Sequence, residues 1–259
     1  MRNSYEILEK VPDSETENRY DTNDSSQKSV VFLSGLFAGG WVWDLSVPQL
    51  KTIDRYVMKD PFCNLGGSLQ EISDKIIADL KKIKGKVSLV SNSLGGLSSL
   101  YIANLIPDKI EKLILSGAAG FQKVNLDLKI NRRQPKRMRE SLLDFIFFDP
   151  KKADEKNIER VASYFQENLK NIIHLTREGN SISAELLLEN ITCPIYGIWG
   201  DNDNVTPLNP ILPILNRHHI STQVIKDCGH SPMIEKPDEF SRLLNQYLMK
   251  DETSEFLKN

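Results

Sequence analysis

The stretch Val87–Leu100, VSLVSNSLGGLSSL, constrains the fold more than any other part of the chain. Its first half is a short apolar run rich in valine, the kind that fills a buried parallel strand. The run that follows, LGGLSSLYIANLIPDKI, predicts a helix that stops before Pro107. The two meet at Ser93 with no linker. A strand must therefore become a helix within about one residue, and only small side chains fit two positions before and two after such a turn. Ser91 and Gly95 stand there, with Gly96 beside them. A helix that begins at this point aims its N-terminal dipole at negative charge forming near the serine. Taken alone, the run is equally an ordinary Ser/Gly-rich strand-to-helix turn.

The surrounding pattern alternates. SVVFLSG and RYVMKD predict strands. SLQEISDKIIADLKKI predicts a helix, with Leu69, Ile72, Ile76, Ile77 and Leu80 on one face. EKLILSGAAG predicts another strand. Residues 121–190 then read as charged, helical and strand-poor. ITCPIYGIWG and STQVIKDCG resume the strands, and PDEFSRLLNQYLMK predicts a closing helix. Strands alternating with helices imply an α/β fold with a mostly parallel, doubly wound sheet. The organisation expected is a loosely ordered arm over 1–28 with one short strand near Tyr5–Leu8. A core over 29–120 and 191–259 follows, with a helical insertion over 121–190. A length of 259 residues suits one large domain with an inserted subdomain.

Composition removes several classes of partner. A net charge of −2 provides no basic field for nucleic acid. No run approaches the roughly 18–20 apolar residues of a membrane span. The polar N-terminus lacks the apolar core of a signal peptide, so a cytoplasmic protein is expected. The three cysteines, Cys63, Cys193 and Cys228, form no CxxC pair, which supports neither a disulfide framework nor a zinc site. No metal or organic cofactor is expected.

A serine nucleophile needs a base, and imidazole is the usual one. Of four histidines, His230 follows a predicted strand in DCGHSPMIEKPDEF, where its ring can reach the carboxyl edge of a parallel sheet. His174 falls in the helical insertion, and His218 and His219 suit a solvated helix end. The base in turn needs a carboxylate to hold its tautomer. IYGIWGDNDNVTP offers Asp201 and Asp203 just past another strand. The oxyanion of an acyl-transfer reaction needs two N–H donors. One is expected from Leu94 and the other from the LSGLFAGGWVW loop, at Leu36 or, failing that, Phe37.

These motifs together resemble the α/β-hydrolase superfamily, of the capped serine hydrolase or esterase type, from about Ser29 to Lys250. LSGLFAGGWVW, VSNSLGGL, WGDNDNVTP and CGHSPMIEKPDEF occur in the order that family uses. The resemblance implies Asp203 rather than Asp201, because the acid stands three residues after the glycine ending its strand. It also implies a helical cap inserted after the sixth strand. The catalytic set expected is Ser93, Asp203 and His230, with Leu36 and Leu94 as the oxyanion hole. Phe37, Trp41, Phe145 and Phe148 are candidate pocket walls. Two departures from the family pattern stand out: Ser34-Gly35 where His-Gly is frequent, and Ser91 where glycine is usual.

The function expected is cleavage of a carboxylic ester or thioester of a small or medium acyl substrate, through an acyl-enzyme on Ser93. LLDFIFFDPKKADEKNIERV also looks like the cap of enzymes that hydrolyse a carbon–carbon bond in opened aromatic rings. Those usually carry Trp after the catalytic His, where this chain has Ser231. The same residues would also suit a lyase using this triad, or a non-catalytic small-molecule receptor. The basic run Arg132, Arg133, Lys136, Arg137 and Arg139 is either a patch for an acidic acyl carrier protein or CoA thioester, or a solvated helix face paired with Glu140 and Asp144.

Overall fold

Strand β2 (Ser29–Leu33) is buried along its whole length and apolar after Ser29, as a strand covered on both faces must be. It lies between β3 (Asp54–Met58) and β4 (Val87–Asn92), parallel to both. Strands β5 (Ile110–Ser116), β6 (Ile195–Gly200) and β7 (Ser221–Ile225) extend the parallel sheet on the far side of β4. One strand runs the other way: β1 (Leu8–Val11) pairs antiparallel with β3, Leu8 opposite Met58 and Val11 opposite Arg55. The sheet order is β1-β3-β2-β4-β5-β6-β7. This computed structural model describes residues 8–11, 29–36, 38–50, 54–58, 61–62, 67–125, 135–151 and 154–250.

The sequence pattern places the early strand near Tyr5–Leu8. It instead begins at Leu8, and residues 5–7 lie outside the described residues.

Helices α1 (Leu69–Leu80) and α2 (Leu94–Leu105) follow the sequence pattern. A reciprocal cap starts α1: Glu71 N–H donates to Ser68 Oγ, and Ser68 N–H donates to the Glu71 carboxylate. Between β5 and β6 lie three helices and no strand among the described residues: α3 (Pro135–Ile146), α4 (Glu155–Gly179) and α5 (Ala184–Leu188). These helices occupy the segment read from the sequence as a helical insertion. It follows the fifth described strand of this chain, one fewer than the family count suggests. Helices α6 (Leu212–Arg217), α7 (Pro232–Glu235) and α8 (Pro237–Met249) complete the layers. His174 is exposed on α4, and His218 and His219 end α6, as read from the sequence.

One core residue breaks the hydrophobic pattern. Lys112, on β5, is 2% exposed, and its ammonium donates to the carbonyls of Lys250, Leu248 and Tyr247 at 2.9, 3.3 and 3.4 Å. A charge placed there satisfies the unpaired carbonyls at the end of α8 and opposes the negative end of the helix dipole.

Because β2 and β4–β7 are parallel and in register, the loops after all five leave the sheet at one edge. Leu33 pairs with Ser91, and Asn92 with Ser116, so the turns carrying Leu36, Ser93 and Gly117 start level with one another. That edge is where open α/β sheets bind ligands. No helix among the described residues is long and apolar enough to cross a membrane.

Candidate active site

Ser93 sits at the junction of β4 and α2 with φ +56° and ψ −123°, a backbone conformation that costs a non-glycine residue about 1–3 kcal/mol. The surroundings hold it there. Its N–H donates to Ser116 O at 3.0 Å, and its carbonyl accepts from Gly96 N and Ala119 N, both at 2.9 Å. The turn leaves no spare room. A Cβ on Gly95 would lie 2.6 Å from Ser34 O, and one on Gly35 would lie 2.6 Å from Ser93 Cβ and 3.2 Å from Ser93 Oγ. The loop carrying Leu36 therefore passes directly against the serine. Ser91, in the position where glycine is usual, is fully buried within the sheet. Its hydroxyl, like that of Ser34, has no protein partner among the described residues, so the family's frequent histidine at position 34 has no hydrogen-bonding counterpart here.

His230 follows β7 and is 2% exposed. Its Nδ1 lies 2.9 Å from Asp203 Oδ2. Asp203 comes from the loop after β6 and is held on both oxygens. Oδ1 accepts from Val205 N at 2.9 Å and Thr206 N at 2.8 Å, and Oδ2 accepts from the Thr206 hydroxyl at 2.9 Å. Burial alone would push this carboxyl up. The charge and hydrogen bond of His230, with the Thr206 donors, outweigh it and hold Asp203 below the usual carboxylate range. Asp201, the other candidate, instead faces Lys226 at 3.4 Å, away from the imidazole.

The second ring nitrogen, His230 Nε2, is buried and has no hydrogen-bond partner among the described residues. His230 and Ser93 line one small cavity with the polar Asn92 and Ser231 and with apolar residues that include Leu36, Ile146, Val161 and Ile234. The cavity volume is about 10 Å³, room for roughly one water molecule. A bulky acyl group therefore needs a lining side chain to give way, and Ile146 and Val161 are the walls that α3 and α4 contribute. Leu94 is the first residue of α2, where the N–H has no intrahelical acceptor. Cys228, two residues before His230, is no rival nucleophile: burial first, then the Glu235 charge, push its thiol up, which keeps it protonated.

The expected pocket walls fall elsewhere. Phe145 is half-buried against the core, and Phe148 is 41% exposed and faces a separate cleft of about 380 Å³. The reason is helical geometry: α3 ends at Ile146, and it is Ile146 that the last turn presents to Ser93. Trp41 packs under the guanidinium of Arg160, 5.4 Å from the ring centroid, and is not a wall of the Ser93 cavity. Phe37 lies outside the described residues. In the basic run, Arg139 pairs with Glu159 of α4 rather than with Glu140 or Asp144. Lys136 and Arg137 are exposed, and Arg132 and Arg133 lie outside the described residues.

Three residues of the site carry no clear sequence signal of their role. Thr206 stands within the WGDNDNVTP motif, but its donor role depends on the geometry of the folded loop. Asn92 donates from Nδ2 to Ser116 O at 3.0 Å and to His230 O at 3.1 Å, tying the histidine loop to the sheet below the serine. Its place directly before Ser93 is the one signal the sequence offers. Gly117 has φ +53°, and a Cβ there would lie 2.8 Å from both Cε1 and Nδ1 of His230 and 3.0 Å from Asp203 Oδ2. Gly117→Ala is therefore expected to displace the imidazole. Ester hydrolysis should show kcat lowered roughly a hundred-fold, with the melting temperature lowered as well by the positive φ. Unchanged kcat would mean that the ring does not sit against Gly117 during turnover.

A parallel sheet with a strained serine at a strand-to-helix turn, and an Asp–His pair from two later loops at the same edge, defines the hydrolase class of α/β proteins. The chain belongs to the alpha/beta hydrolase family, whose family model matches residues 30–243. Among curated proteins it is similar to 2-hydroxy-6-oxononadienedioate/2-hydroxy-6-oxononatrienedioate hydrolase of Comamonas testosteroni, 24% identical over 89% of this chain and 91% of that one. Among solved structures it is similar to a thermophilic esterase from Thermogutta terrifontis, with TM-score 0.72 at 16% identity, over 93% of this chain and 92% of that one. It is likewise similar to a meta-cleavage product hydrolase from Pseudomonas fluorescens, with TM-score 0.73 at 20% identity and the same coverage.

Proposed function

We propose that this chain is a serine hydrolase that cleaves a carboxylic ester or thioester of a small or medium acyl substrate through an acyl-enzyme on Ser93. One observation carries the reading: Ser93, forced into a strained turn, shares a cavity with the unpartnered Nε2 of His230, whose Nδ1 is held by Asp203. A buried imidazole nitrogen left without a partner beside a serine is what a general base requires. In the mechanism that follows, Nε2 takes the Ser93 proton as Oγ attacks the carbonyl carbon. The backbone N–H groups of Leu36 and Leu94 receive the oxyanion. The protonated ring then gives its proton to the leaving alcohol or thiol, and a water activated by His230 releases the acid. Asp203 stabilises the imidazolium throughout.

The lining favours a neutral acyl group. Apart from His230 itself, the described residues around the cavity carry no ionisable side chain. A second reading rests on the relatives. The curated hydrolases it resembles are named for hydroxy-oxo-dienoate substrates, which suggests hydrolysis of a carbon–carbon bond beside a ketone. Such carboxylate substrates require a cationic partner or a well-hydrated path, and the described lining, whose other polar side chains are Asn92 and Ser231, holds no lysine or arginine.

A panel of short p-nitrophenyl esters, acyl-CoA thioesters and 2-hydroxy-6-oxo-dienoates separates the two. The expected result is kcat/KM at least roughly ten-fold higher for a neutral ester or thioester than for any dienoate, a discrimination of about 1.4 kcal/mol. The reverse order establishes the second reading. Turnover of neither class sinks the hydrolytic reading altogether.

A further inference from the structure

Directly after the histidine loop, α7 ends in Glu235, whose two carboxylate oxygens face different parts of the molecule. Oε1 accepts from Gly229 N at 3.0 Å, on the residue before His230. Oε2 accepts from Phe148 N at 2.8 Å, two residues past the end of α3 in the cap. A third bond runs beside them, from His230 N to Ile146 O at 2.7 Å. Packing fixes the same contact independently. A Cβ on Gly229 would lie 2.6 Å from Ile146 O and 2.7 Å from Phe148 N, so the two backbones touch. Ile146 is also a wall of the Ser93 cavity.

Taking Ser93, Asp203 and His230 as the proposed catalytic set, we infer that Glu235 is a positioning residue that clamps the His230 loop to the end of the cap, so that ring and pocket wall hold one geometry. A charged acceptor bridging two N–H donors is stronger than two neutral bonds. Its removal leaves the part-buried Gly229 N–H without a partner and frees the exposed Phe148 N–H. Where the cap yields to admit an acyl group, this clamp confines that movement to parts other than the end of α3. The contact between Arg160 on α4 and Asp44, at 3.1 Å, lies outside this clamp.

The clamp depends on ionisation. Burial pushes the Glu235 carboxyl up to about 7, against the backbone donors of Phe148, Gly229 and Ser231 and the charge of His230, which pull it down. The other ionisable groups around it are Cys228 from the histidine loop, neighbouring Lys236, and Asp149, Asp154 and Asp227, which line the adjoining cleft. Protonation turns one acceptor oxygen into an O–H that points at an N–H donor, which opens one side of the clamp. By the linkage sign, a raised folded pKa makes protonated Glu235 the form that favours folding. That stability is present below the ordinary glutamate range and lost as pH rises through about 7. Ionised Glu235 thus costs stability while it holds the ring.

Glu235→Gln keeps the size and mimics the protonated state. In ester hydrolysis above neutrality its kcat should be roughly ten- to a hundred-fold below wild type, with KM little changed. The ratio of wild type to variant should shrink toward one as pH falls below about 7, because wild-type Glu235 is then neutral too. A ratio that is unity throughout, independent of pH, or carried by KM overturns the inference. A second measurement needs neither the variant nor turnover. In the wild-type protein, the NMR signal of the His230–Asp203 hydrogen-bonded proton should shift with the same midpoint as the Glu235 carboxyl carbon. Independent titration of the two overturns the positioning role even in an active hydrolase. Coupled titration in a protein that cleaves no ester leaves the clamp standing and sinks only the proposed activity.

Discussion

Ser93→Ala is expected to lower kcat for a p-nitrophenyl ester by up to roughly 10⁶-fold, with a residual rate above water from the oxyanion donors and binding alone. The variant should also lose all labelling by a fluorophosphonate probe. The change is clean because the hydroxyl, the proposed nucleophile, makes no contribution to the fold. Among the described residues Ser93 Oγ has no hydrogen bond, and the bonds that hold the turn come from its backbone N–H and carbonyl. Alanine keeps the same positive φ, so it should melt close to wild type. Ser93→Gly is equally inactive but relieves the left-handed strain, so of the two it should be the more stable. Wild-type labelling that persists in Ser93→Ala would place the nucleophile elsewhere.

The features legible in sequence are those that backbone geometry imposes locally. A strand-to-helix turn at Ser93 admits only small residues at Ser91 and Gly95, so its signature is written in consecutive positions. The order of β4, β6 and β7 along the chain, each followed by a site residue, is visible for the same reason. What depends on distant packing is not. Lys112 follows Glu111 at the charged start of its strand and carries no sequence sign of burial, yet it is buried because the end of α8, more than a hundred residues later, supplies its carbonyl acceptors. The run Phe145–Phe148 looks like a pocket wall because aromatic residues are large and apolar. Where α3 stops decides that Ile146 faces Ser93 while Phe148 lends only its N–H to Glu235. Glu235 itself stands in the CGHSPMIEKPDEF motif, but a glutamate before Lys-Pro carries no sign of two backbone donors from different segments.

Asp203→Asn tests the other end of the proposed relay, and the loop around Asp203 predicts its outcome in detail. Oδ1 accepts from the N–H groups of Val205 and Thr206, so an amide in this position must keep its carbonyl oxygen there. Its NH₂ then takes the place of Oδ2, 2.9 Å from His230 Nδ1, with the Thr206 hydroxyl free to turn and accept from it. Facing a donor, Nδ1 must become the acceptor, which moves the ring proton to Nε2. That nitrogen is the proposed base for Ser93, and protonated in the neutral ring it cannot take the serine proton. The negative charge that stabilises the imidazolium is lost in the same step. The expected fall in kcat is about 10⁴-fold, less than for Ser93→Ala, because the nucleophile and oxyanion donors remain. Raising the pH should recover part of the rate, since hydroxide in solution can deprotonate Ser93 without the ring. The fold should survive, because every backbone donor of the loop keeps an acceptor. A variant that retains wild-type kcat would show that Asp203 holds the loop and not the tautomer. The carboxylate at Asp201, engaged by Lys226 at 3.4 Å, is not placed to substitute for it.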